Sequence, residues 1–194
     1  MNPFAYLASS QIQEPIGTGG FLDPESIVNL FGVREGMNIA DFGCGAGYFT
    51  VSLAEKTGPT GKVYAFDIQE NALDNVRAKA SAHYLNNIET VRTNLEVAGS
   101  SGLPDDSQSI VLLANILFQS SKKQEIIREA RRIAVKNGEV IIIDWKNGTG
   151  GFGPPNDLRK DSEEIKKMTE REGLTFERTI NAGQFHFGLI FKKP

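Results

Sequence analysis

Three glycines at alternate positions, Gly43, Gly45 and Gly47, form the part of the sequence best suited to bind a ligand. They follow a short apolar run and precede a helical pattern, so main-chain N–H groups at the start of the helix would face the carboxyl edge of a sheet. Glycine has no Cβ, and a ligand can therefore approach the backbone closely. The same glycines could serve only to make a tight turn, so the neighbouring acidic residues decide between these interpretations.

Two aspartates flank the glycines, and their positions favour one class of ligand. Asp67 ends the next predicted strand, 20 residues beyond Gly47, where a carboxylate can accept both hydroxyls of a ribose. Asp41 comes two residues before the first glycine, where it would repel a pyrophosphate but attract the sulfonium and ammonium groups of S-adenosylmethionine. Tyr48 occupies the position of the third glycine in the G-x-G-x-x-G dinucleotide pattern. The charge of Asp41 and the glycine spacing at Tyr48 both predict S-adenosylmethionine as the cofactor, in preference to NAD.

Polar residues that could contact a second substrate come at the end of the fifth predicted strand and at the start of the last one. Asp144 and His186 are the candidate catalytic groups, because histidine can act as a general base near neutral pH. Trp145 could stack on a second substrate that is flat or cationic and that would accept a methyl group. Lys146 and Arg159 could contact this acceptor as well. Each residue also has a structural explanation: a core-edge aromatic, a solvated surface charge, or a histidine hydrogen-bonded at the sheet edge.

Aromatic residues elsewhere could complete such a site. Phe118 follows the fourth predicted strand and would face the methyl donor, although a core position explains it equally well. Phe4, Tyr6 and Phe21 precede the predicted core and could form a lid over the acceptor. Packing on a neighbouring subunit, or disorder of this N-terminal segment, is the alternative.

Short apolar strands alternate with helical patterns over most of the chain, which predicts a parallel, doubly wound α/β sheet. The predicted strands are 38–42, 62–67, 88–93, 109–115 and 139–144. The predicted helices are 24–31, 48–56, 71–84 and 122–135, with Gly138 as the glycine that ends the last of them.

The C-terminal part of the sequence has a different pattern. A helix is predicted over 161–173, with Asp161 as its N-cap. Two strand-like runs follow, 174–180 and 186–192, and a turn of only a few residues joins them. A parallel crossover needs about a dozen residues, so we expect these two strands to be antiparallel.

Composition limits the remaining possibilities. The 194 residues, 40% hydrophobic and 23% charged, indicate one domain (1–194), with an N-terminal helical or lid segment (1–35) and a cofactor-binding core (36–194). Cys44 is the sole cysteine, which excludes an intrachain disulfide or a cysteine metal cluster and suits the cytoplasm. The net charge of −3 argues against a nucleic-acid partner. No secretory signal or membrane span is expected, and the protein is expected to be a monomer or a homodimer.

Four segments carry a resemblance to a known family. Residues 38–47 resemble the first motif of the class I S-adenosylmethionine-dependent methyltransferases, of the small bacterial type related to the ubiquinone and menaquinone methyltransferases. Residues 63–67 resemble the acidic motif of their second strand, and 103–115 resemble the loop and fourth strand. Residues 129–140 resemble the segment that usually contains a Lys-Pro-Gly-Gly turn, which here reads Lys-Asn-Gly-Glu.

The resemblance implies both a fold and a set of cofactor contacts. The fold would be a Rossmann-like three-layer sandwich with seven strands in the order 3-2-1-4-5-7-6, the last strand antiparallel. The glycines and Asp41 would surround the methionine portion, Asp67 the ribose, and Ile68 the adenine. The implied cofactor-binding positions are Asp41, Gly43, Gly45, Gly47, Asp67, Ile68, Asn94, Leu95 and Asn115. Asn94 departs from the family, which often has Asp there, and Asn115 would contribute its backbone.

The sequence therefore predicts an enzyme that moves a methyl group from S-adenosylmethionine to a small-molecule acceptor by in-line displacement, a reaction that depends mainly on alignment. A non-catalytic protein that binds S-adenosylmethionine is the main alternative, and an NAD-dependent oxidoreductase is less favoured. A nucleic-acid methyltransferase is disfavoured, because the fourth strand ends in Asn-Ile-Leu-Phe at 115–118 and not in Asn-Pro-Pro-Tyr. Arsenite methylation is disfavoured because it uses several cysteines.

Overall fold

The computed structural model describes residues 22–148 and 153–194, and a seven-stranded sheet runs through its centre. The strands are β1 (Asn38–Phe42), β2 (Lys62–Asp67), β3 (Ile88–Arg92), β4 (Gln108–Ala114), β5 (Ala134–Trp145), β6 (Thr175–Ile180) and β7 (His186–Lys192). The helices are α1 (Pro24–Val28), α2 (Tyr48–Thr57), α3 (Glu70–Ala82), α4 (Lys123–Ile133) and α5 (Ser162–Arg171). A short 3₁₀ turn, Leu117–Gln119, follows β4.

The sheet has the predicted topology. Its strand order is β3-β2-β1-β4-β5-β7-β6, and β7 is antiparallel to both β5 and β6 while the other pairs are parallel. The expected fold class and the antiparallel last strand are thus confirmed. The short turn between β6 and β7 forces this direction, since it cannot cross the sheet.

Alternate residues of the central strands bury against opposite helical layers. In β4, Ile110 and Leu112 pack with residues of α1 and α2, whereas Val111 and Leu113 pack with residues of α4 and α5. Apolar side chains on both faces are what a sheet covered on both sides requires, and they explain the near-continuous apolar strands in the sequence. The result is a three-layer sandwich.

The prediction that Gly138 ends a helix was wrong. Helix α4 ends at Ile133, and β5 begins at the next residue and runs through Gly138. Asn137 has a left-handed φ of 61° at a local irregularity of the strand, and its N–H donates to the carbonyl of Lys193. A Cβ at position 138 would lie 2.8 Å from the carbonyl oxygen of Val135, so the glycine is needed for close packing within the sheet.

Other expected elements are present with shifted ends. Helix α1 ends at Val28, three residues earlier than the predicted end at residue 31. Asp161 is the N-cap of α5 and accepts a hydrogen bond from the N–H of Glu163 at 2.8 Å. Phe4, Tyr6 and Phe21, the suggested lid, lie outside the described residues, so the division at residue 35 stays a prediction. None of the helices described is long and apolar enough to cross a membrane.

The topology gathers the candidate residues at one edge of the sheet. Parallel strands β1, β2, β4 and β5 end at this edge, and the antiparallel β7 begins there. Asp41, Asp67, Asn115, Trp145 and His186 lie at or beside these strand ends. Ligands of open α/β sheets bind at the carboxyl ends of the strands, so the fold places the candidate residues where a site is expected.

Candidate active site

The glycine loop after β1 is tied to the end of β2. The N–H groups of Gly43 and Cys44 both donate to the carbonyl oxygen of Phe66, at 2.8 and 2.9 Å. Gly45 has a φ of +50°, and a Cβ built there would meet nothing within 4 Å. The space beside the backbone at Gly45 is therefore open. Gly47 is different: a Cβ there would come within 2.8 Å of Val76 Cγ2 in α3. Gly45 therefore makes room for a ligand, whereas Gly47 permits close packing of α2 against α3.

Asp67 is oriented by two main-chain N–H groups. Its Oδ2 accepts from Gly45 at 3.0 Å, and its Oδ1 accepts from Gln69 at 2.9 Å. A carboxylate has about four acceptor positions, so each oxygen can still accept a further hydrogen bond. The carboxylate is thus fixed beside the glycine loop and can receive a pair of hydroxyl groups.

A first cavity of about 500 Å³ lies next to Asp67. Ile68, which is 57% exposed, offers an apolar surface for a flat ring, and Asn94 and Leu95 line the same cavity. Asn94 is held by its own turn, because its Oδ1 accepts from the N–H of Glu96 at 3.0 Å. The cavity also contains polar residues that the sequence did not single out: Gln69, Asn71, Asn75, Thr93, Glu96 and Ser120.

A second cavity, of about 480 Å³, lies on the other side of the glycine loop. Its lining includes Asp41 and Asn115, and Gly43, Gly45 and Gln119 line both cavities. The lining of this second cavity also includes the largely apolar set Leu22, Pro24, Tyr48, Phe49 and Ala114. A ligand with two portions joined at the glycine loop can therefore occupy both cavities.

Asp41 is a buried carboxylate in this second cavity. It is 1% exposed, and its Oδ2 accepts a hydrogen bond from Thr50 Oγ1 at 2.6 Å. Burial raises its pKa to about 6, Thr50 opposes that rise, and the nearby charge of Asp67 adds to it. A cation bound beside Asp41 would stabilise its ionised form. Burial also raises the pKa of the neighbouring Cys44 thiol well above its ordinary value, so this thiol is not activated as a nucleophile.

Asn115 and Gln119 form the far wall of the second cavity. The backbone of Asn115 is fully engaged, because its N–H donates to Ile143 at 2.8 Å and its carbonyl accepts from Gln119 Nε2 at 2.8 Å. Asn115 has a left-handed φ of 55°. Gln119 was missed in the sequence because it lies in a three-residue 3₁₀ turn, which has no periodic pattern to detect.

Asp144 fixes this turn. Its Oδ2 accepts from the N–H of Phe118 at 3.0 Å and its Oδ1 from the N–H of Trp145 at 2.8 Å. Burial raises the pKa of Asp144 to about 6, against the opposing effect of these N–H groups. In the part of the chain that the structure describes, neither Asp144 nor Phe118 lines the two cavities. Asp144 therefore acts on the site through the turn that carries Gln119.

Trp145, Lys146, Arg159 and His186 lie together at the end of β5. The rings of Trp145 and His186 are 4.0 Å apart between centroids, and the Arg159 guanidinium carbon lies 5.6 Å from the Trp145 ring. Lys146 Nζ donates to the carbonyl of Gly183 at 3.1 Å. Arg159 Nε and Nη1 donate to the carbonyls of Pro154 and Lys146, each at 2.8 Å. Trp145, Lys146, Arg159 and His186 thus form one cluster, which we call the β5–β7 cluster, whereas Phe118, the other predicted acceptor residue, lies in the 3₁₀ turn after β4.

His186 is the most deeply buried member of this cluster. Burial, followed by the charges of Lys146 and Arg159, lowers its pKa to about 4, so the imidazole is neutral near pH 7. None of the cluster residues is among those lining the two cavities within the described ranges. His83, by contrast, lies at the surface, where its Nδ1 is 3.0 Å from Glu55.

Comparisons with a protein family, with curated proteins and with a solved structure give a consistent result. A family described as "Methyltransferase domain" (Methyltransf_31) matches residues 33–184. The demethylmenaquinone methyltransferase of Geobacillus stearothermophilus is 27% identical over 125 residues, which are 64% of this chain and 52% of that protein. The ubiquinone/menaquinone biosynthesis C-methyltransferase of Hahella chejuensis is 31% identical over 123 residues, 63% of this chain and 48% of that protein. The chain thus spans about half the length of the curated relatives it matches.

A solved structure covers much more of the chain. The SAM-dependent methyltransferase from Aquifex aeolicus superposes with a TM-score of 0.81 at 29% sequence identity. The match covers 90% of this chain and 91% of that one. The similarity therefore extends over nearly all of the sheet and both helical layers.

Proposed function

The chain belongs to the methyltransferase domain family, and from that premise we propose that it transfers the methyl group of S-adenosylmethionine to a small molecule. The observation that carries this proposal is the pair of cavities joined at the glycine loop. One cavity contains Asp67 and the other contains Asp41, and Gly43, Gly45 and Gln119 line both.

The residues fit the two portions of this cofactor. Asp67 has acceptor positions left for the ribose hydroxyls, and Ile68 offers an apolar surface for the adenine. The buried carboxylate of Asp41 suits the ammonium group of the methionine portion, because a cation offsets the cost of keeping this carboxylate ionised. The open space at Gly45 gives the cofactor room between these contacts.

When bound, S-adenosylmethionine supplies a methyl group already activated by its positive sulfonium. The chain's own residues then have to align the acceptor and exclude water, which can account for much of the acceleration. Four of the residues that line the second cavity are Asn115, Gln119, Tyr48 and Phe49. Asp144 holds the turn that positions Gln119. An in-line displacement needs no further group unless the acceptor must lose a proton.

A small acceptor suits the second cavity. Its volume of about 480 Å³ lies within the range of small-molecule sites, and the net charge of −3 argues against a nucleic acid as the acceptor. The curated relatives are named for quinone precursors, but this chain covers about half of their length, so we propose the acceptor only by size. With one cysteine in the chain, we place the reaction in the reducing cytoplasm.

Calorimetry tests the cofactor, and a labelled methyl group tests the reaction. We expect S-adenosylmethionine and S-adenosylhomocysteine to bind with 1:1 stoichiometry and NAD not to bind. Turnover of S-adenosylmethionine with a labelled methyl group and a pool of small metabolites should label a product. Binding without any labelled product would favour a non-catalytic binding protein, and binding of NAD alone would overturn the assignment.

A further inference from the structure

His186 is a buried histidine whose imidazole has no hydrogen-bond partner within residues 22–148 and 153–194. It is 2% exposed, and neither Nδ1 nor Nε2 has a partner among the residues that the structure describes. A neutral imidazole carries one donor and one acceptor, and leaving them buried and unsatisfied is costly. A partner supplied from outside the chain would remove that cost.

The surroundings of His186 are held in place by specific bonds. The hydrogen bonds of Lys146 and Arg159 to main-chain carbonyls fasten the end of β5 to the loop at Pro154 and to the turn at Gly183. The centroid of the Trp145 ring is 4.0 Å from that of the imidazole and 5.6 Å from the Arg159 guanidinium carbon. Several specific contacts therefore hold the β5–β7 cluster together.

The local charge selects the kind of partner. Lys146 and Arg159 both act on the imidazole electrostatically and disfavour its protonation, which means that the potential at His186 is positive. Such a site repels cations and attracts anions. A conjugate acid with a pKa of about 4 also makes His186 a weak base near pH 7.

The cluster lies on the same face of the sheet as the second cavity. Ile143 packs with α1 and α2, and Trp145 lies two residues further along β5, on the same face. Asp41 is bonded to Thr50 of α2 and is therefore on this face as well. Asn115, which lines the second cavity, donates to the carbonyl of Ile143 at 2.8 Å.

We propose that His186, Trp145 and Arg159 form the acceptor subsite, and that the acceptor is a small organic anion attacked at its negatively charged oxygen. This inference rests on the proposed function. The carbon–sulfur bond of the sulfonium breaks while a carbon–oxygen bond forms, the electron pair returns to sulfur, and the two opposite charges cancel. No proton is removed. His186 donates a hydrogen bond that orients the oxygen anion, and it is not the general base.

Nuclear magnetic resonance can test this directly, because the chain has two histidines. Protein saturated with S-adenosylhomocysteine is titrated with benzoate, benzamide and benzylamine, which share a ring but differ in charge. We expect benzoate to shift the imidazole signals of His186 and to bind about tenfold or more tightly than benzamide. Benzylamine should not bind. His83, on the surface beside Glu55, is the internal control and should not respond.

Variants separate the hydrogen bond from the charge. We expect His186→Phe to weaken benzoate binding about tenfold or more and His186→Gln, which keeps a donor, to weaken it less. Arg159→Gln should remove the preference for benzoate over benzamide. All three variants should bind S-adenosylhomocysteine as the parent protein does. If His186→Phe does not fold, Arg159→Gln decides the question.

Three results would overturn the proposal: benzamide or benzylamine binding as tightly as benzoate, benzoate affinity unchanged in the variants, or no probe shifting His186. Failure of S-adenosylhomocysteine to bind would instead count against the proposed function. In that case a benzoate titration of the protein alone still tests the anion subsite, since a shift of His186 supports it and no shift contradicts it.

Discussion

Asp67 accepts a hydrogen bond from the main-chain N–H of Gly45 at 3.0 Å, although the two residues are 22 positions apart in the chain. The carboxylate that faces the first cavity and the loop that joins the two cavities are therefore one unit. The second carboxylate oxygen of Asp67 accepts a hydrogen bond from the N–H of Gln69. Two main-chain N–H groups thus fix the orientation of the Asp67 carboxylate beside the glycine loop.

Asp67→Ala should weaken binding of S-adenosylhomocysteine by roughly 10- to 100-fold, the usual contribution of hydrogen bonds to a charged group. Calorimetry of the variant measures this. Asp74→Ala is the matched control, because Asp74 is an exposed aspartate of α3 paired with Arg77 at 2.7 Å, and it should leave the affinity unchanged. Equal affinities for the parent and Asp67→Ala would remove Asp67 from the site.

Much of the fold followed from the sequence because it depends on local signals. Apolar runs fixed the five central strands, and the short turn before His186 fixed the antiparallel direction of β7. Gly138 was misassigned because a glycine needed for packing inside a strand has the same appearance in the sequence as one that ends a helix.

The site was less predictable because it depends on side-chain contacts between distant segments. Asp41, Asp67 and the glycines come together as their spacing suggested, yet Gly47 packs against Val76. No pattern marked Gln119. Likewise, no property of the residue type could reveal that His186 is buried with no partner in the described part of the chain, since that depends on three segments converging on it.

Cofactor affinity should depend on the ionisation of Asp41. The pKa of this carboxyl is raised to about 6, and a bound cation favours its charged form, so the affinity should fall as the pH drops below about 6. The fall should approach tenfold per pH unit. Calorimetry with S-adenosylhomocysteine between pH 5 and 8 measures it. Asp41→Asn should bind weakly at all pH values and lose this dependence, and a flat profile for the parent protein would contradict the assignment.

Two glycines of the loop should respond differently to alanine. Gly47→Ala places a Cβ 2.8 Å from Val76 Cγ2 at a φ of +79°, so it should lower the free energy of unfolding by about 1–3 kcal/mol. Gly45→Ala meets no neighbour within 4 Å, so its larger effect should be on S-adenosylhomocysteine affinity, about tenfold or more. Urea unfolding and calorimetry on both variants separate the two effects. If one of the two variants lowers both the free energy of unfolding and the affinity for S-adenosylhomocysteine more than the other variant does, Gly45 has no special relation to the ligand.

His186 should make the protein less stable in mild acid. Its pKa is lowered to about 4 in the folded state from an ordinary value of 6.5, so between these pH values the unfolded chain binds a proton that the folded chain refuses. Stability is therefore lost as the pH falls through this window. Asp41 and Asp144, whose pKa values are raised to about 6, act in the opposite direction, so the test must compare variants. The free energy of unfolding of His186→Phe minus that of the parent should rise by ~3 kcal/mol between pH 7 and pH 4, measured by urea unfolding. His83→Phe, a surface substitution, should show no such rise, and a constant difference for His186→Phe would mean that this imidazole titrates normally.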